Sequence, residues 1–280
     1  MLLQPDQRIS DCVVRVVLGR GGTSTVYLAE NTRTGELEAL KILNPDVVVH
    51  EAVRARFRCE FDIAKMLEHP NIVDVHDFGD YDGQQWMTMQ YIFGVSGTAL
   101  IPRPRARPDL ALVLGVLAQM AAGLDYAHAR GVLHRDVKPS NFLIAHAAPR
   151  NAVLTDFGIA RMIDNTRPRG LSGHIVGSLP YAAPEVLQAQ PLSVATDVYA
   201  LASSTVELLT GKPPFPLPNM FAITSAQISS PPPVLSRRRR WIPATVDPII
   251  SRALAKQPGQ RYTSCSEFVE LVTHALRGFY

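Results

Sequence analysis

His134-Arg135-Asp136-Val137-Lys138-Pro139-Ser140-Asn141, answered by Asp156-Phe157-Gly158 further along the chain, is the stretch from which the rest of the sequence is read. It is a short polar run, with acids, an amide and a lysine at fixed spacing, set between strongly apolar segments. Asp136 can accept a proton, and Lys138 can neutralise a phosphoryl group in transfer. Asn141 and Asp156 offer oxygen donors of the hard type that Mg²⁺ prefers. Phosphoryl transfer needs these parts, because its catalysis is mostly positioning and charge stabilisation.

The run carries the pattern H-R-D-x-x-x-x-N followed by D-F-G, and in this the sequence resembles the protein kinases. The resemblance implies an α+β, protein-kinase-like bilobal fold. A small antiparallel β N-lobe with one main helix would take residues 1–93, and a larger, mostly α-helical C-lobe residues 94–280, together one protein kinase domain. It implies Asp136 and Lys138 as catalytic residues and Asn141 and Asp156 as metal ligands, with ATP and Mg²⁺ as cofactors and Mn²⁺ as an alternative ion.

The bulk composition fits such a domain. The 280 residues suffice for a sizeable core, and 46% hydrophobic with 19% charged residues is a globular composition, not a disordered one. The 28 basic and 25 acidic residues leave a net charge of +3, too balanced to point to nucleic acid. Cys12, Cys59 and Cys265 are widely spaced, with no metal-binding pattern, and read as reduced thiols. The most apolar run, residues 110–124, is shorter than the roughly 20 residues needed to span a bilayer. No signal pattern opens the chain, so the expectation is a cytoplasmic protein without a membrane segment.

Residues 13–43 read as an antiparallel meander, with β-branched runs broken by turn residues. The first turn carries Gly19, Gly21, Gly22 and Ser24 ahead of Val26, and glycines there would let backbone N–H groups approach phosphate oxygens. In the family pattern Ser24 stands where a third glycine is usual. Lys41, between Leu40 and Ile42, needs an anionic partner. The candidate is Glu60, in a helix predicted over residues 51–67 from apolar positions three and four apart. Strands are expected at 72–78 and 85–91. By resemblance, Met89 would gate the back of the nucleotide pocket, Gln90 to Ile92 would form the hinge, and Val26, Ala39 and Leu143 would close on adenine. Ser96 lies near where kinases often carry an acid for the ribose. Three prolines make residues 94–109 read as a linker-like loop with solvated arginines.

Asp109 is placed to cap a long buried helix closed by Gly131, with His128 as a packed structural histidine. Two short strands, 142–144 and 153–155, would deliver Asp136, Asn141 and Asp156 to a single cleft. Residues 156–185 resemble a kinase activation segment ending in Ala183-Pro184-Glu185. Arg135 is suited to grip a phosphate there, with Ser172 the preferred phosphorylation site and Thr166 the second. Lys138 together with Ser178 resembles the serine/threonine pattern. The resemblance also implies that Asp197 holds the catalytic loop and that Glu185 pairs with Arg261. Ser264 and Glu267 form a capping-box pattern at the final helix. Arg237 to Arg240 read as a solvated loop.

The segments Gly21-Gly22-Thr23-Ser24-Thr25-Val26-Tyr27, His69-Pro70-Asn71-Ile72-Val73 and Leu209-Thr210-Gly211-Lys212-Pro213-Pro214-Phe215 look most similar to the bacterial eukaryotic-like (Hanks-type) serine/threonine kinases, particularly the actinobacterial group. That likeness implies transfer of the γ-phosphoryl of Mg-ATP to serine or threonine hydroxyls of protein substrates. It also implies autophosphorylation, with a homodimer as the means of trans-activation, and either a free-standing kinase or a catalytic domain cut from a longer one. The competing reading is a pseudokinase scaffold, supported by Ser24, Ser96 and the irregular 94–109 stretch.

Overall fold

The computed structural model describes residues 3–48, 50–147, 150–157, 161–162 and 178–279, with the backbone alone at 161–162. The chain divides into two compact units, Met1–Phe93 with Asp156–Ile159, and Gly94–Thr155 with Ala160–Tyr280.

In the first unit the strands are β1 (Arg8–Ile9), β2 (Cys12–Arg20), β3 (Ser24–Asn31), β4 (Leu37–Leu43), β5 (Val75–Tyr81) and β6 (Gln84–Gln90). They form one antiparallel sheet in the order β1-β2-β3-β4-β6-β5, with helices α1 (Pro45–Val48) and α2 (Glu51–Lys65) between β4 and β5. The alternation of side chains is plainest in β3, where Thr25, Tyr27, Ala29 and Asn31 point inward and their neighbours are half-buried. Tyr27 and Ala29 join Ile9, Cys12, Val14, Leu40, Ile42 and Trp86 in one apolar cluster. A second cluster seats the inward stripe of α2, with Phe57 packed on Leu43 and Met87 and with Phe61, Phe78 and Met89 alongside. The β5–β6 hairpin turns at Asp82 and Gly83, both at positive φ (50° and 77°), the two-residue geometry that matches strand twist. Compared with the sequence expectation, β5 begins three residues later, at Val75, and α2 ends at Lys65, ahead of the His69-Pro70 break.

The second unit opens with β7 (Gly94–Ser96) and a 3₁₀ turn, Gly97–Leu100. The linker-like reading of 94–109 is therefore corrected at its start. Here β7 pairs antiparallel with the later strand Phe142–Ala145, and the prolines interrupt regular structure only beyond Leu100. The long helix α3 (Leu110–Ala129) is capped by the Asp109 side chain, which accepts from Leu112 N at 3.0 Å. At 20 residues, α3 is longer than its most apolar run suggests, and by length and composition alone it could cross a membrane. It packs instead on the segments Cys265–Ala275, Val194–Thr210 and Ala152–Leu154 within this unit, with Leu117, Met120, Leu124 and Ala127 fully buried. A helix apolar all round is what a core position calls for.

After α3 come β8 (Val132–Leu133), β9 (Phe142–Ala145), β10 (Ala152–Leu154) and β11 (Arg161–Met162). They make the sheet β10-β9-β7 and the pair β11-β8. Among the described residues the further α-helices are α4 (Pro184–Leu187), α5 (Val194–Thr210), α6 (Met220–Ser229), α7 (Leu235–Arg238), α8 (Val246–Ala253) and α9 (Cys265–Ala275). Helix α5 is buried along nearly its whole length and ends at Gly211, whose φ of +78° suits glycine.

The arginine run is corrected in part: Arg237, Arg238 and Arg240 are exposed as expected, but Arg237 and Arg238 lie in α7 instead of a loop, and Arg238 and Arg239 bind backbone. Arg239 donates to Thr210 O at the C-terminus of α5, and Arg238 donates to Pro213 O and Pro214 O. Carbonyls at a helix end lack intrahelical partners, and the Arg239 guanidinium supplies donors to one of them. At α9 the Ser264 hydroxyl accepts from Glu267 N at 3.0 Å, but the Glu267 carboxylate reaches back to Thr263, one residue before the cap.

Candidate active site

Each unit carries a distinct set of the residues singled out from the sequence. In the first, Lys41 lies in β4 opposite Val26 of β3 and Met87 of β6. Its ammonium donates to Glu60 Oε1 at 2.5 Å and to Asp156 Oδ1 at 2.8 Å. Burial works against the Lys41 charge, but the Asp156 and Glu60 carboxylates outweigh it and hold the lysine protonated beyond its usual range. Burial likewise pushes Glu60 up, to about 7, with the Lys41 charge opposing and Asp156 adding repulsion. Asp156 adopts a positive φ of 70°, a conformation that side-chain-bearing residues rarely take.

The glycine-rich turn links β2 to β3. Gly19 pairs with Val26 at the strand end, and Gly21 N donates to Ser24 O at 2.8 Å, closing the turn. Gly22 has open space where a Cβ would stand. Asn44, which the sequence reading passed over, clamps this turn from three directions. Its Nδ2 donates to Gly21 O at 2.9 Å, its Oδ1 accepts from Thr25 Oγ1 at 2.7 Å, and its backbone N donates to Thr23 O at 2.8 Å. The signal available was slight, an amide residue between the end of a strand and Pro45. Ala39 is buried opposite Met89, which is half-buried, and Ile92 is half-buried beyond β6. The Gln90 N–H is already taken by Asp74 O at 2.8 Å.

In the second unit, Asp197 near the start of α5 is completely buried and organises the catalytic run. Its carboxylate accepts from His134 N and Arg135 N, both at 2.8 Å, and from His128 Nε2 at 2.7 Å. Arg135 sits at φ +69°, and the anchoring of its amide offsets the strain. His134 Nδ1 accepts from Asp136 N at 3.2 Å, so Nε2 carries the proton and donates to Thr155 O at 3.1 Å. The Asn141 side chain donates to Asp136 O at 2.8 Å, folding the end of the run back onto Asp136.

Within that frame Lys138 Nζ lies 2.7 Å from Asp136 Oδ2 and 3.0 Å from Ser178 Oγ, and Ser178 donates to Asp136 Oδ1 at 2.5 Å. An aliphatic hydroxyl thus rests on a buried carboxylate beside a lysine. Such an arrangement can orient a hydroxyl and take up its proton. Leu143, half-buried in β9, stands opposite Ser96 of β7, whose hydroxyl is 2.5 Å from Thr98 Oγ1. Gly158, Thr166 and Ser172 lie outside the described residues.

Beyond Ser178 the chain is anchored twice. Tyr181 donates its hydroxyl to Glu207 Oε2 at 2.5 Å. Glu185 receives both terminal nitrogens of Arg261, at 2.7 and 2.8 Å, and the Thr196 hydroxyl at 2.9 Å. Below the catalytic run, Asp125, His128 and Cys265 bring ligand-type atoms within 4.8 Å of one another. Both Asp125 oxygens already accept the first amides of α9, from Cys265 and Ser266, and His128 already serves Asp197, so the group acts as a helix cap and a support. Burial disfavours the His128 charge, but Asp125 and Asp197 prevail and raise its pKa to about 9.

The comparisons with known proteins agree with this architecture. Residues 13–276 match the family described as the protein kinase domain. The chain belongs to the protein kinase family. This kinase domain is 41% identical over 267 residues to the serine/threonine-protein kinase PknF of Mycobacterium tuberculosis, covering 93% of the chain and 55% of that protein. It is also 41% identical over 268 residues to PknJ of the same species, covering 94% and 45%. The chain thus spans about half the length of the curated relatives it matches. The crystal structure of the M. tuberculosis PknI kinase domain superposes with a TM-score of 0.76 at 33% identity, covering 98% of this chain and all of that one. The α+β kinase fold read from the sequence is the fold of the domain, and its relatives are bacterial serine/threonine kinases.

Proposed function

We propose that this domain is a serine/threonine protein kinase that transfers the γ-phosphoryl of Mg-ATP to protein hydroxyls and autophosphorylates its activation segment. The observation that carries the reading is the Ser178 hydroxyl held on Asp136 Oδ1 at 2.5 Å with Lys138 bridging both groups. Asp136 orients the acceptor hydroxyl and receives its proton as the oxygen attacks phosphorus. Lys138, fixed by Asp136, faces the charge that develops on the transferring group. Lys41, held by Glu60, is the residue assigned to the nucleotide phosphates together with the turn through Gly19, Gly21, Gly22 and Ser24, and Val26, Ala39, Met89, Gln90 and Ile92 are assigned to the base, with Leu143 assigned by resemblance.

The donor chemistry suits a magnesium ion. The Asn141 amide nitrogen is committed to Asp136 O, which directs its carbonyl oxygen elsewhere, and Asp156 adds a carboxylate, so both supply hard oxygen ligands. Mg²⁺, when bound, neutralises phosphate charge. Arg135 is assigned to a phosphate on Ser172 or Thr166. The same reading places the domain in the cytoplasm, with protein substrates and a second copy of the chain as partners.

The test is incubation of the purified domain with Mg-ATP beside the Asp136→Asn variant, followed by intact mass and phosphopeptide mapping. Phosphate on wild type alone supports the reading. Wild type that binds ATP but transfers no phosphate, to itself or to a generic protein, would replace it with the scaffold.

A further inference from the structure

Gln227, fully buried on α6, reaches the acceptor-side turn from well along the chain. Its side-chain nitrogen donates to Leu179 O at 3.0 Å and to Pro180 O at 2.7 Å, the two carbonyls that directly follow Ser178. Its Oε1 accepts the Tyr199 hydroxyl of α5 at 2.5 Å. The Gln227 backbone carbonyl is in turn held by Lys256 Nζ at 2.8 Å, and that ammonium lies 4.7 Å from the centre of the Phe215 ring. One amide side chain therefore ties α6 and α5 to the turn Leu179–Tyr181.

The chemistry of this junction is restrictive. Two carbonyl oxygens face one nitrogen, so the side chain must bring two N–H groups, and the hydroxyl on the other side fixes which end of the amide is oxygen. Reversal would set Oε1 against two carbonyls. Glutamate has the shape and no donor, and asparagine is one methylene short. Histidine has a single N–H for the two acceptors. Ser178 meets Asp136 and Lys138 from the first residue of this segment, so its placement depends on how the next two peptide units are held.

We infer that Gln227 is a positioning residue for the protein substrate, setting the turn after Ser178 so that an acceptor hydroxyl meets Asp136. The inference rests on the proposed reading of Asp136, Lys138 and Ser178 as the acceptor side of a kinase. It sets Gln227 apart from residues that act on the nucleotide, since its side chain bonds Leu179, Pro180 and Tyr199.

The test compares wild type, Gln227→Glu and Gln227→His in the whole chain, with dephosphorylated casein as acceptor, the slow hydrolysis of Mg-ATP by water as the internal reference, and hydrogen exchange at the Ala182 amide, which bonds Leu179 O. For Gln227→Glu, KM for casein should rise about tenfold, a loss equivalent to about 1.4 kcal/mol, while ATP hydrolysis and KM for ATP keep their wild-type values. Ala182 should exchange faster. Gln227→His, with one donor, should fall between the two, and it decides the matter if the glutamate variant does not fold. Casein KM and Ala182 exchange equal to wild type would overturn the inference, as would a parallel loss of casein phosphorylation and ATP hydrolysis. If wild type phosphorylates nothing, the kinase reading fails, and Ala182 exchange still reports whether Gln227 holds the turn.

Discussion

Arg261 grips Glu185 with two parallel hydrogen bonds, 2.7 and 2.8 Å long, and neither side chain is accessible to solvent. The pair closes the segment that begins at Ser178 onto the α8–α9 region, and Arg261 adds backbone contacts to Ala195 O and Ala255 O. Bidentate geometry makes such a pair strong, and burial makes either partner alone costly. Arg261→Met should lower stability to urea by about 3–5 kcal/mol, because it strands a buried carboxylate. Adding Glu185→Gln should restore part of the loss, and a double-mutant cycle measures the coupling.

His128 makes stability pH-dependent. Its pKa rises from 6.5 to about 9 in the folded chain, against burial and because Asp125 and Asp197 flank it. A histidine that binds its proton more tightly when folded contributes stability that is full below about pH 6.5 and lost as pH rises through about 9. Chemical denaturation across that range should show wild type losing stability relative to His128→Gln. A constant difference between the two would refute the charged Asp–His–Asp arrangement.

Asp136→Asn removes the proton acceptor and keeps the shape. Phosphoryl transfer should fall about 10² to 10⁴-fold, the usual worth of a general base. Nucleotide affinity, measured by calorimetry, should be unchanged, since the Lys41–Glu60 pair is untouched.

Asn44→Ala should loosen the glycine-rich turn without touching the acceptor side. Loss of two side-chain hydrogen bonds worth about 0.5–1.5 kcal/mol each corresponds, if all of it falls on nucleotide binding, to a KM for ATP raised about five- to 150-fold. KM for a protein substrate should stay constant, the reverse of the split expected at Gln227.

Gly94 admits no side chain. A Cβ there would stand 1.9 Å from Ile144 O, in the β7–β9 ladder, where backbone must move to make room. Gly94→Ala should cost about 1–3 kcal/mol as an overpacking change, measured as a lowered melting temperature.

Much of this was legible along the chain because the relevant physics is local. β-branched runs broken by turn residues located β3 and β4, three-and-four spacing located α2, and Asp109, Gly211 and Ser264 marked helix ends by capping chemistry that acts within a turn. The short run 134–141 also carries its own chemistry, since the residue types alone indicate proton transfer and oxygen ligation. Tertiary structure decided the rest. Arg239 reads as part of a solvated run until α5 is seen to end with a carbonyl in need of donors, and residues 94–96 read as linker until β9 offers a pairing partner. Asn44 and Gln227 carry no motif, because a primary amide becomes specific only when the carbonyls it must satisfy are brought to it. For Gln227 those carbonyls come from residues 47 and 48 positions earlier in the chain, a separation at which only folding, and no sequence period, sets the contact.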